Sequence, residues 1–404
     1  MLESSPLASP TEEKSVGLAK GKNKTLAMEK RMHIIIARAV LLRSLGHVKS
    51  VVGRRNNTPI LANVLLKARD GEIDLVATDR DLEIVETVPA TVNVAGGITA
   101  PAHTLYDIIR KLPDGSQVEI KVDADGSQMT LRSGRSHFKL SCLPIEDFPQ
   151  LSWGELRHRF ALTASKLRRL IDRTSFAIST EETRYYLNGI YLHAARAGAE
   201  PTLRAVATDG HLLAQVDTTL PVSAADMPGV IVPRKTIAEV RKLINKVTDR
   251  IEVSLSENKI RFVFDTVVLT SKLIDGKFPD YERVIPVKND KVLEVDVKRF
   301  AAATKRIAAG FIKKDQVFKL AIGKGVLTLS AANGEAGSAS EELEVRYEHT
   351  AIEIGFNPRY LLDIIQRIEG DRVLFVLANA ASPVLIRDAA DSSALYVLMP
   401  KIIR

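Results

Sequence analysis

The strongest constraint on how this chain folds is an internal repeat of three segments, each built around a proline. The segments are ITAPAHTLYDIIRKLPDGSQVEI, VIVPRKTIAEVRKLINKVTDRIEV and IGFNPRYLLDIIQRIEGDRVLFV, and their prolines are Pro101, Pro233 and Pro358, which lie 132 and 125 residues apart. A period of that length is too long for one unit of a solenoid, so it indicates three copies of one domain. The three predicted domains cover residues 32–151, 157–286 and 291–404.

Two helices and several strands are predicted in every copy. A short apolar strand precedes each repeat proline, and the proline suits the first turn of a helix because its missing N–H would have no partner there. A second helix opens each copy, and in the middle copy Leu167, Leu170, Ile171 and Ile178 form one apolar stripe. The strands that follow the proline helices are predicted to start near Val118, Ile251 and Val373. The fold class is therefore α+β, with two helices packed on antiparallel sheet in each domain.

Composition places the chain among globular, cation-rich proteins. Of its 404 residues, 45% are hydrophobic and 26% are charged, and the formal net charge is +8. That excess favours an anionic partner, either nucleic acid or an acidic membrane surface, although no stretch is long and apolar enough to span a bilayer. The single cysteine, Cys142, excludes an intrachain disulfide and indicates a reducing compartment, which predicts a cytoplasmic protein. Residues 1–31 are rich in Ser, Lys and Glu, and we predict a disordered N-terminal extension.

Cationic helix faces recur in the three copies. In the second copy, Lys166, Arg169 and Arg173 follow the spacing i, i+3, i+7 opposite the leucine stripe, and Lys235 and Lys242 lie on the helix after Pro233. Equivalent cations in the other copies are Arg38, Arg43, Lys49, Lys298, Arg299, Lys305 and Arg306. One isolated face of this kind is usually just solvated surface. Recurrence in three neighbouring domains instead predicts a basic wall that contacts phosphates without reading base sequence.

A search for catalytic chemistry finds one weak candidate. The motifs GxxxxGK[ST], HExxH and GxSxG are all missing from the sequence. Asp79 and Asp81, in the run TDRD, have the spacing of a metal-binding carboxylate pair in a magnesium-dependent nuclease or polymerase. The second copy has Asp209-Gly210-His211 at the same place, where the second carboxylate is missing. We therefore favour polar turn residues at a strand end, and we predict neither a catalytic residue nor a metal or other cofactor.

Several stretches of the chain resemble the bacterial sliding-clamp family, the β subunit of DNA polymerase III. They are YYLNGIYL (185–192), ATDGHLLA (207–214), TSKLIDGKFPDYERVIP (270–286) and the terminal YVLMPKIIR. The resemblance runs in order from residue 32 to residue 404. It implies three clamp domains that form half of a six-domain ring, closed head to tail by a second copy around duplex DNA. It also implies a non-catalytic processivity factor to which the polymerase, the clamp loader and repair proteins dock through short linear motifs.

The resemblance also assigns residues to three surfaces. It implies DNA contacts, beside the cationic faces, by Arg55, Arg184, Tyr185, Tyr186, Arg234 and Lys235. It implies a partner-peptide cleft between the second and third domains lined by Leu187, Thr208, Gly210, His211, Leu213, Pro279, Arg283, Val284, Asn357, Tyr360, Val397, Leu398, Met399 and Pro400. It implies a dimer interface that includes Ile108, Phe138, Glu341, Glu342 and Glu344. His103 and Thr104 depart from the best-known relative, which has basic residues at those two positions of the interface.

Two other functions stay open at this point. The chain could be a monomeric repeat scaffold that binds nucleic acid or acidic partners without encircling them, because the repeat and the basic faces alone do not require a ring. It could also be the magnesium-dependent enzyme that the Asp79 and Asp81 pair suggests. Retention on nicked circular DNA with release on linearisation separates a ring from a scaffold, and turnover by the chain alone identifies an enzyme.

Overall fold

The computed structural model describes residues 31–53, 58–123, 125–244, 250–311, 317–333 and 337–403. Two helices per copy are present in these ranges, as the repeat predicts. The helices are α1 (Arg38–Val48), α2 (Ala102–Lys111), α3 (Ala164–Asp172), α4 (Arg234–Leu243), α5 (Val297–Phe311) and α6 (Pro358–Ile365). None of the helices in the described ranges combines the length and the hydropathy needed to cross a bilayer.

Local sequence sets where the helices begin and end. The Thr163 hydroxyl accepts a hydrogen bond from the Lys166 N–H at 3.3 Å and caps α3. Asn357 caps α6 in the same way, and Pro358 follows it at the first helical position. Pro101 and Pro233 differ from Pro358, because each ends a strand and stands one residue before its helix. The proline segments therefore share a strand-to-helix turn but not one identical start.

The strands follow a similar order in each copy. The first copy contains β1 (His33–Ala37), β2 (Asn63–Arg69), β3 (Glu72–Thr78), β4 (Leu82–Pro89), β5 (Thr91–Val94), β6 (Gly96–Pro101), β7 (Gln117–Val122), β8 (Gln128–Ser133) and β9 (Ser136–Ser141). The second contains β10 (His158–Thr163), β11 (Gly189–Ala197), β12 (Glu200–Thr208), β13 (Leu212–Thr219), β14 (Val230–Pro233), β15 (Arg250–Leu255), β16 (Lys259–Phe264) and β17 (Val267–Lys272). The third contains β18 (Lys291–Asp296), β19 (Phe318–Gly323), β20 (Val326–Asn333), β21 (Gly337–Glu344), β22 (Ile352–Phe356), β23 (Arg372–Leu377), β24 (Val384–Asp388) and β25 (Ala394–Leu398). The strands after the proline helices, β7, β15 and β23, each start one residue before the predicted position.

The sheets run across the boundaries between copies. One eight-stranded sheet has the order β10-β15-β16-β17-β4-β3-β2-β6 and joins the first two copies, and another, β14-β11-β12-β13-β25-β24-β23-β18, joins the last two. The joining pairs are antiparallel, with Leu269 opposite Ile84 and Leu213 opposite Val397. A five-stranded sheet, β5-β1-β7-β8-β9, and a four-stranded sheet, β21-β20-β19-β22, complete the described part. Neighbouring copies are thus connected by backbone hydrogen bonds.

The helices cover the sheets with their apolar stripes. In α1, Leu41 and Leu45 are fully buried, and in α2 Leu105 and Ile109 are fully buried. All four belong to one continuous core cluster that extends through the three copies. Truncating any of these leucines or isoleucines to alanine costs about 2–5 kcal/mol in such a packed interior. The structure confirms the predicted α+β class, with two helices and antiparallel sheet in each of the three copies.

One predicted helix is shorter than expected. The apolar stripe of the second copy was predicted to run from Leu167 to Ile178 on one helix. The structure ends α3 at Asp172 and places a short 3-10 turn at Ser175–Ala177 before Ile178. Ile178 is nevertheless buried, so its apolar side chain packs into the core beyond the end of α3.

Candidate nucleic-acid interface and docking site

The cationic face of α3 is smaller than the sequence predicts. Lys166 is exposed and Arg169 is half-buried, but only 3% of Arg173 is exposed. Arg173 follows the last residue of α3 and turns towards the third copy, where its Nη1 donates to Asp391 Oδ2 at 2.7 Å and its Nη2 lies 2.8 Å from a Glu369 carboxylate oxygen. The prediction that Arg173 lies on an exposed phosphate-binding face is therefore wrong. A chain turn at the end of α3 buries it in an ion pair.

Asp391 is the centre of this contact between the second and third copies. Arg169 also donates to Asp391 and to Ser393, and the Ser393 N–H donates to Asp391 Oδ1 at 2.9 Å. Partial burial raises the pKa of Asp391, but the hydrogen bonds from Ser393 and Arg173 outweigh it and hold the pKa well below the usual range. The Asp391 carboxylate is therefore charged at neutral pH and ties α3 to the turn between β24 and β25.

The cations of α4 divide into free and compensated charges. Arg234 is exposed and takes part in no ion pair within the described ranges. Lys235 forms an ion pair with Asp79 of the first copy and donates to the Val51 carbonyl at 3.2 Å. Lys242 lies 2.7 Å from a Glu239 oxygen. The side chains of Lys235 and Lys242 are still about half exposed, so both ion pairs are open to solvent.

The carboxylates of the TDRD run are turn and junction residues. Asp79 Oδ1 accepts hydrogen bonds from the N–H groups of Asp81 and Leu82, at 3.0 and 2.7 Å. Its other oxygen pairs with Lys235, while Asp81 lies 2.9 Å from Lys272 Nζ. Within the described residues no group of three or more His, Cys, Asp and Glu side chains has the geometry to hold a metal ion. The arrangement fits a polar turn that contacts the next domain.

The same turn recurs between the second and third copies with a different partner. Asp209 Oδ1 accepts from the N–H groups of His211 and Leu212, and its Oδ2 accepts from the Tyr360 hydroxyl at 2.6 Å. Lys235 and Tyr360 are each the second residue after a repeat proline, so the two junctions are built alike. Partial burial together with Asp209 raises the pKa of Tyr360, so its hydroxyl remains protonated and donates.

Residues of the predicted cleft meet at the junction of copies two and three. A buried apolar cluster outside the main core contains Leu187, Val206, Leu213, Ile231, Phe278, Tyr281 and Val397. Three of them, Leu187, Leu213 and Val397, were assigned to the cleft from the resemblance. Thr208 is also buried, and its hydroxyl donates to the Leu212 carbonyl at 2.8 Å. These residues form the floor of one surface, which we call the junction cleft.

Leu398 does not belong to this floor. Successive strand residues point to opposite faces, and β25 places Val397 in the cleft cluster but Leu398 in the main core, fully buried. The assignment of Leu398 as a cleft-lining residue is therefore wrong. The expectation that alternate residues of the YVLMP run are core residues is confirmed, because Tyr396 is fully buried as well.

The rim of the junction cleft is exposed and comes from separate segments. Its members are Gly210, His211, Pro279, Arg283, Val284, Met399 and Pro400, all exposed or half-buried. Val284 is 49% exposed and Met399 is 41% exposed, which is high for large apolar side chains. The Met399 N–H donates to the His211 carbonyl at 2.9 Å and joins two parts of the rim. Asn357 and Tyr360 lie at the start of α6, where Tyr360 is half-buried. Exposed aliphatic groups above an apolar floor suit an apolar peptide anchor.

Three of the residues assigned to DNA lie beside this rim. Arg184, Tyr185 and Tyr186 belong to a 3-10 segment, Glu182–Leu187, that leads into the cleft floor at Leu187. Arg184 pairs with Glu181 at 2.8 Å and packs against Gly210, whose φ is +91° and whose hypothetical Cβ would lie 2.6 Å from Arg184 Nη1. Tyr185 is 53% exposed. Arg55, also assigned to DNA, lies outside the described residues.

The predicted dimer-interface residues lie at the two ends of the chain's row of sheets. Phe138 is on β9, the last strand of the five-stranded sheet, and Ile108 on α2 is half-buried against the same core. Glu341, Glu342 and Glu344 are on β21, the last strand of the four-stranded sheet. Glu341 is held by Arg306, whereas Glu342 and Glu344 are exposed. Among the described strands, β9 pairs only with β8 and β21 only with β20.

Sequence reasoning missed one buried charged group next to the cleft. Arg204 is 7% exposed on β12 and makes a two-point contact with Asp217, at 2.7 and 2.9 Å. The sequence did indicate this group, because a lone arginine in the largely apolar run LRAVAT needs a buried partner. Its other contacts reach the loop that carries part of the cleft rim.

Three repeated α+β domains, joined edge to edge by continuous sheets and presenting basic helices and an apolar junction cleft, define a protein of the DNA-clamp class. The comparisons agree with this class. Models of the N-terminal, central and C-terminal domains of the DNA polymerase III beta subunit match residues 32–152, 161–280 and 282–402. The chain belongs to this family, the bacterial β sliding clamps.

Relatives and solved structures give the same answer over most of the chain. The beta sliding clamp of Caulobacter vibrioides is 50% identical over 369 residues, covering 91% of this chain and 99% of the relative. That of Escherichia coli is 38% identical over 372 residues, with the same coverage. The structure of a sliding clamp from Bartonella birtlesii bound to griselimycin has a TM-score of 0.89 and 49% identity, covering 92% of this chain and all of that one. This chain is thus a DNA sliding clamp, a DNA-associated and non-catalytic subunit of DNA polymerase III.

Proposed function

We propose that two copies of this chain close head to tail into a six-domain ring around duplex DNA. The observation that carries the proposal is the way neighbouring copies are joined within the chain, by antiparallel pairing of β17 with β4 and of β13 with β25. The outer strands β9 and β21, in the first and third copies, are left to make the same kind of junction with a second chain. Exposed strand edges favour such pairing.

Charge complementarity supports the pairing of β9 with β21. The exposed residues of β9 include His137 and Lys139, and those of β21 include Glu342 and Glu344. Phe138 and Ile108 supply apolar surface beside them. His103 Nε2 donates a hydrogen bond to the Val52 carbonyl, 3.0 Å away, so Lys139 on β9 takes the role that basic residues have at positions 103 and 104 in the best-known relative.

Inside the ring, the helices contact the DNA backbone without reading its sequence. Lys166 and Arg234 contribute helix charges for which the described residues supply no ion pair, and Lys235 and Lys242 contribute charges that exchange their protein partners for phosphates. Arg169, which is half-buried at Asp391, contributes less. Arg184, Tyr185 and Tyr186 contact DNA at the edge of the ring, and Arg55 is assigned to DNA by the resemblance alone. Such contacts are weak individually and fall steeply with salt, which lets a closed ring slide.

The junction cleft docks short linear motifs of the replicative polymerase, the clamp loader and repair proteins. An apolar side chain of the motif inserts over Leu187, Leu213 and Val397, and the exposed Val284 and Met399 close over it. We also propose that griselimycin, which is bound in the Bartonella birtlesii structure, binds this chain at the same cleft. The protein acts in the cytoplasm, on the nucleoid.

Retention on DNA tests the ring. The chain is loaded on nicked circular DNA by a clamp loader with ATP, and the DNA is then linearised. A ring is retained on the circle at moderate salt and released from the linear form within seconds, whereas a monomeric scaffold is unaffected by linearisation. The variant Glu342→Lys, Glu344→Lys is expected to be monomeric by native mass spectrometry and to lose retention. Retention by a monomeric species would refute the proposal.

Truncation of the rim tests the cleft. Met399→Ala removes an exposed rim side chain without disturbing β25, whereas a deletion starting at Leu398 would remove a core residue. Isothermal titration with griselimycin is expected to show an affinity about tenfold lower for Met399→Ala, which corresponds to the loss of one buried apolar anchor. Val222→Ala, at an exposed valine of the second copy away from the cleft, is the matched control. Equal affinities for all three proteins would exclude this cleft.

A further inference from the structure

The cleft-rim loop, residues 273–285, is held by two inward-facing aromatic residues. Phe278 and Tyr281 are each 6% exposed and belong to the cleft cluster. Between and after them, Pro279, Arg283 and Val284 point outward and form part of the rim. The place of the rim side chains is therefore set by whatever fixes the two aromatic rings.

Strand β11 supplies the surface on which the rings rest. Tyr191 and His193 are two residues apart and so lie on the same face of β11. The Tyr191 ring stacks on Phe278 with centroids 4.9 Å apart and planes 7° apart, and the His193 ring stacks on Tyr191 at 4.5 Å. Gly229 leaves room for this stack, because a Cβ there would overlap the Tyr191 hydroxyl.

A directed chain of hydrogen bonds holds the second ring. Asp217 binds Arg204 through two bonds, and Arg204 Nη1 donates to the Tyr281 hydroxyl oxygen at 3.3 Å. The same Nη1 lies 3.3 Å from a Glu282 carboxylate oxygen. Tyr281 in turn lies 3.1 Å from His193 Nε2. Arg204 thus contacts two adjacent residues of the cleft-rim loop, Tyr281 and Glu282. It therefore fixes the orientation of the loop as well as its position.

The protonation of His193 decides which way the last bond points. Its Nδ1 lies 2.9 Å from the Ala194 carbonyl, and only a donor fits there. In the neutral ring Nε2 is then an acceptor, and the Tyr281 hydroxyl donates to it while accepting from Arg204. Burial lowers the pKa of His193 and outweighs the hydrogen bond to the Ala194 carbonyl, which raises it, so the ring is neutral at pH 7. The titratable or charged groups around the ring are Tyr191, Arg204, Asp217, Tyr281 and Glu282.

We propose that Arg204, Tyr281 and His193 are positioning residues of the junction cleft, which hold the cleft-rim loop where a docked peptide needs it. The inference rests on the proposed function of the cleft. None of the three has to touch the peptide, because they act through Pro279 and Val284. Removing one of these hydrogen bonds changes none of the rim residues, but it loosens the loop that carries them, so their side chains can move apart.

Removal of one hydroxyl is the direct test. Tyr281→Phe keeps the buried ring and deletes the bond to His193, the bond from Arg204 and the longer, 3.5 Å bond to Glu282. Griselimycin affinity, measured by isothermal titration, is expected to fall about three- to tenfold, the effect of one or two hydrogen bonds. Tyr347→Phe removes an equally buried hydroxyl, bonded to the Thr350 carbonyl at 2.6 Å in the third copy, and is expected to leave the affinity unchanged.

A pH series separates positioning from a general loss of stability. At acidic pH the affinity of the unmodified chain is expected to fall as His193 takes up a proton and its Nε2 ceases to accept from Tyr281. Both proteins are compared in a His211→Gln background, so that the histidine exposed on the rim does not contribute to the profile. Tyr281→Phe is expected to abolish the pH dependence. An unaltered pH profile in that variant would overturn the proposal.

Hydrogen exchange of the unliganded chain gives a readout that does not need the cleft to bind anything. Amides of residues 274–285 are expected to exchange about tenfold faster in Tyr281→Phe than in the unmodified chain, with no change in β18 or β23. Unchanged exchange in the loop would refute the positioning role whatever griselimycin does. If exchange in the loop becomes faster but the unmodified chain binds no griselimycin, the three residues still anchor the loop, whereas the proposed function of the cleft is refuted.

Discussion

The ion-pair centre at Asp391 gives the sharpest prediction about stability. Asp391→Asn keeps the size of the side chain and removes its charge. Arg173, whose side chain is 4% exposed, would then keep only Glu369 as a charged partner, at 2.8 Å. We expect the junction between the second and third copies to be weakened while the fold of each copy persists.

The expected cost follows from the burial of the two partners. Removing one partner of a fully buried ion pair costs about 3–5 kcal/mol, because the other charge is left without compensation. Here Asp391 is 28% exposed, Glu369 remains, and an asparagine still accepts hydrogen bonds. We therefore expect a loss of about 2 kcal/mol in the free energy of unfolding of the cooperative unit that contains this junction.

Urea unfolding at several pH values checks both the size and the origin of the effect. Since the folded-state pKa of Asp391 is lowered, its stabilising contribution is complete well above about pH 4 and is lost as the pH falls towards the folded-state pKa. The difference between the two proteins should thus be full at pH 7 and shrink below about pH 4. Glu369→Ala, at a 78% exposed side chain, is the control and should cost under about 1 kcal/mol. A variant as stable as the unmodified chain at pH 7, or a difference that does not shrink in acid, would refute the reasoning.

A buried thiol, a glycine turn and an ion pair lead to three further predictions. Burial raises the pKa of the Cys142 thiol to about 11, so an aromatic disulfide reagent at pH 8 should react slowly with the folded chain and rapidly in urea. Gly210→Ala would strain a backbone at φ +91° and displace Arg184, and a loss of about 1 kcal/mol or more in unfolding free energy is expected from calorimetry. Asp79→Asn breaks the ion pair with Lys235; we expect no magnesium-dependent turnover before or after the change, and turnover by the purified chain that the change abolishes would revive the enzyme hypothesis.

The order and type of the elements could be predicted because they depend on local periodicity. The helices after Pro101, Pro233 and Pro358, and the strands that follow them, came from patterns within about 25 residues. The pairing of β17 with β4 and of β13 with β25 could not be predicted in this way. Every copy has several apolar strands of similar length, and nothing local says which of them pairs with a neighbouring copy.

The residues of the candidate site likewise divide into those that could be predicted and those that could not. The cleft residues Leu187, Leu213 and Val397 came from the resemblance, and the structure brings them into one cluster. Arg173 was misplaced because its partner, Asp391, is 218 residues away, and helical spacing cannot show that a chain turn follows α3. The DNA contacts and the dimer interface remain predictions. Their partners are other molecules, so the fold of one chain does not test them.

The continuous sheets have a mechanical consequence. Since strands pair across both boundaries between copies in the described residues, the half-ring that one chain forms resists bending at those boundaries. Bending the arc at β17 or β25 means breaking several backbone hydrogen bonds together. In a closed ring, elastic strain would therefore concentrate at the two joints between chains, where we propose that β9 pairs with β21. A protein that opens such a ring needs to separate only one of those joints, and the two half-rings would then move apart as nearly rigid bodies.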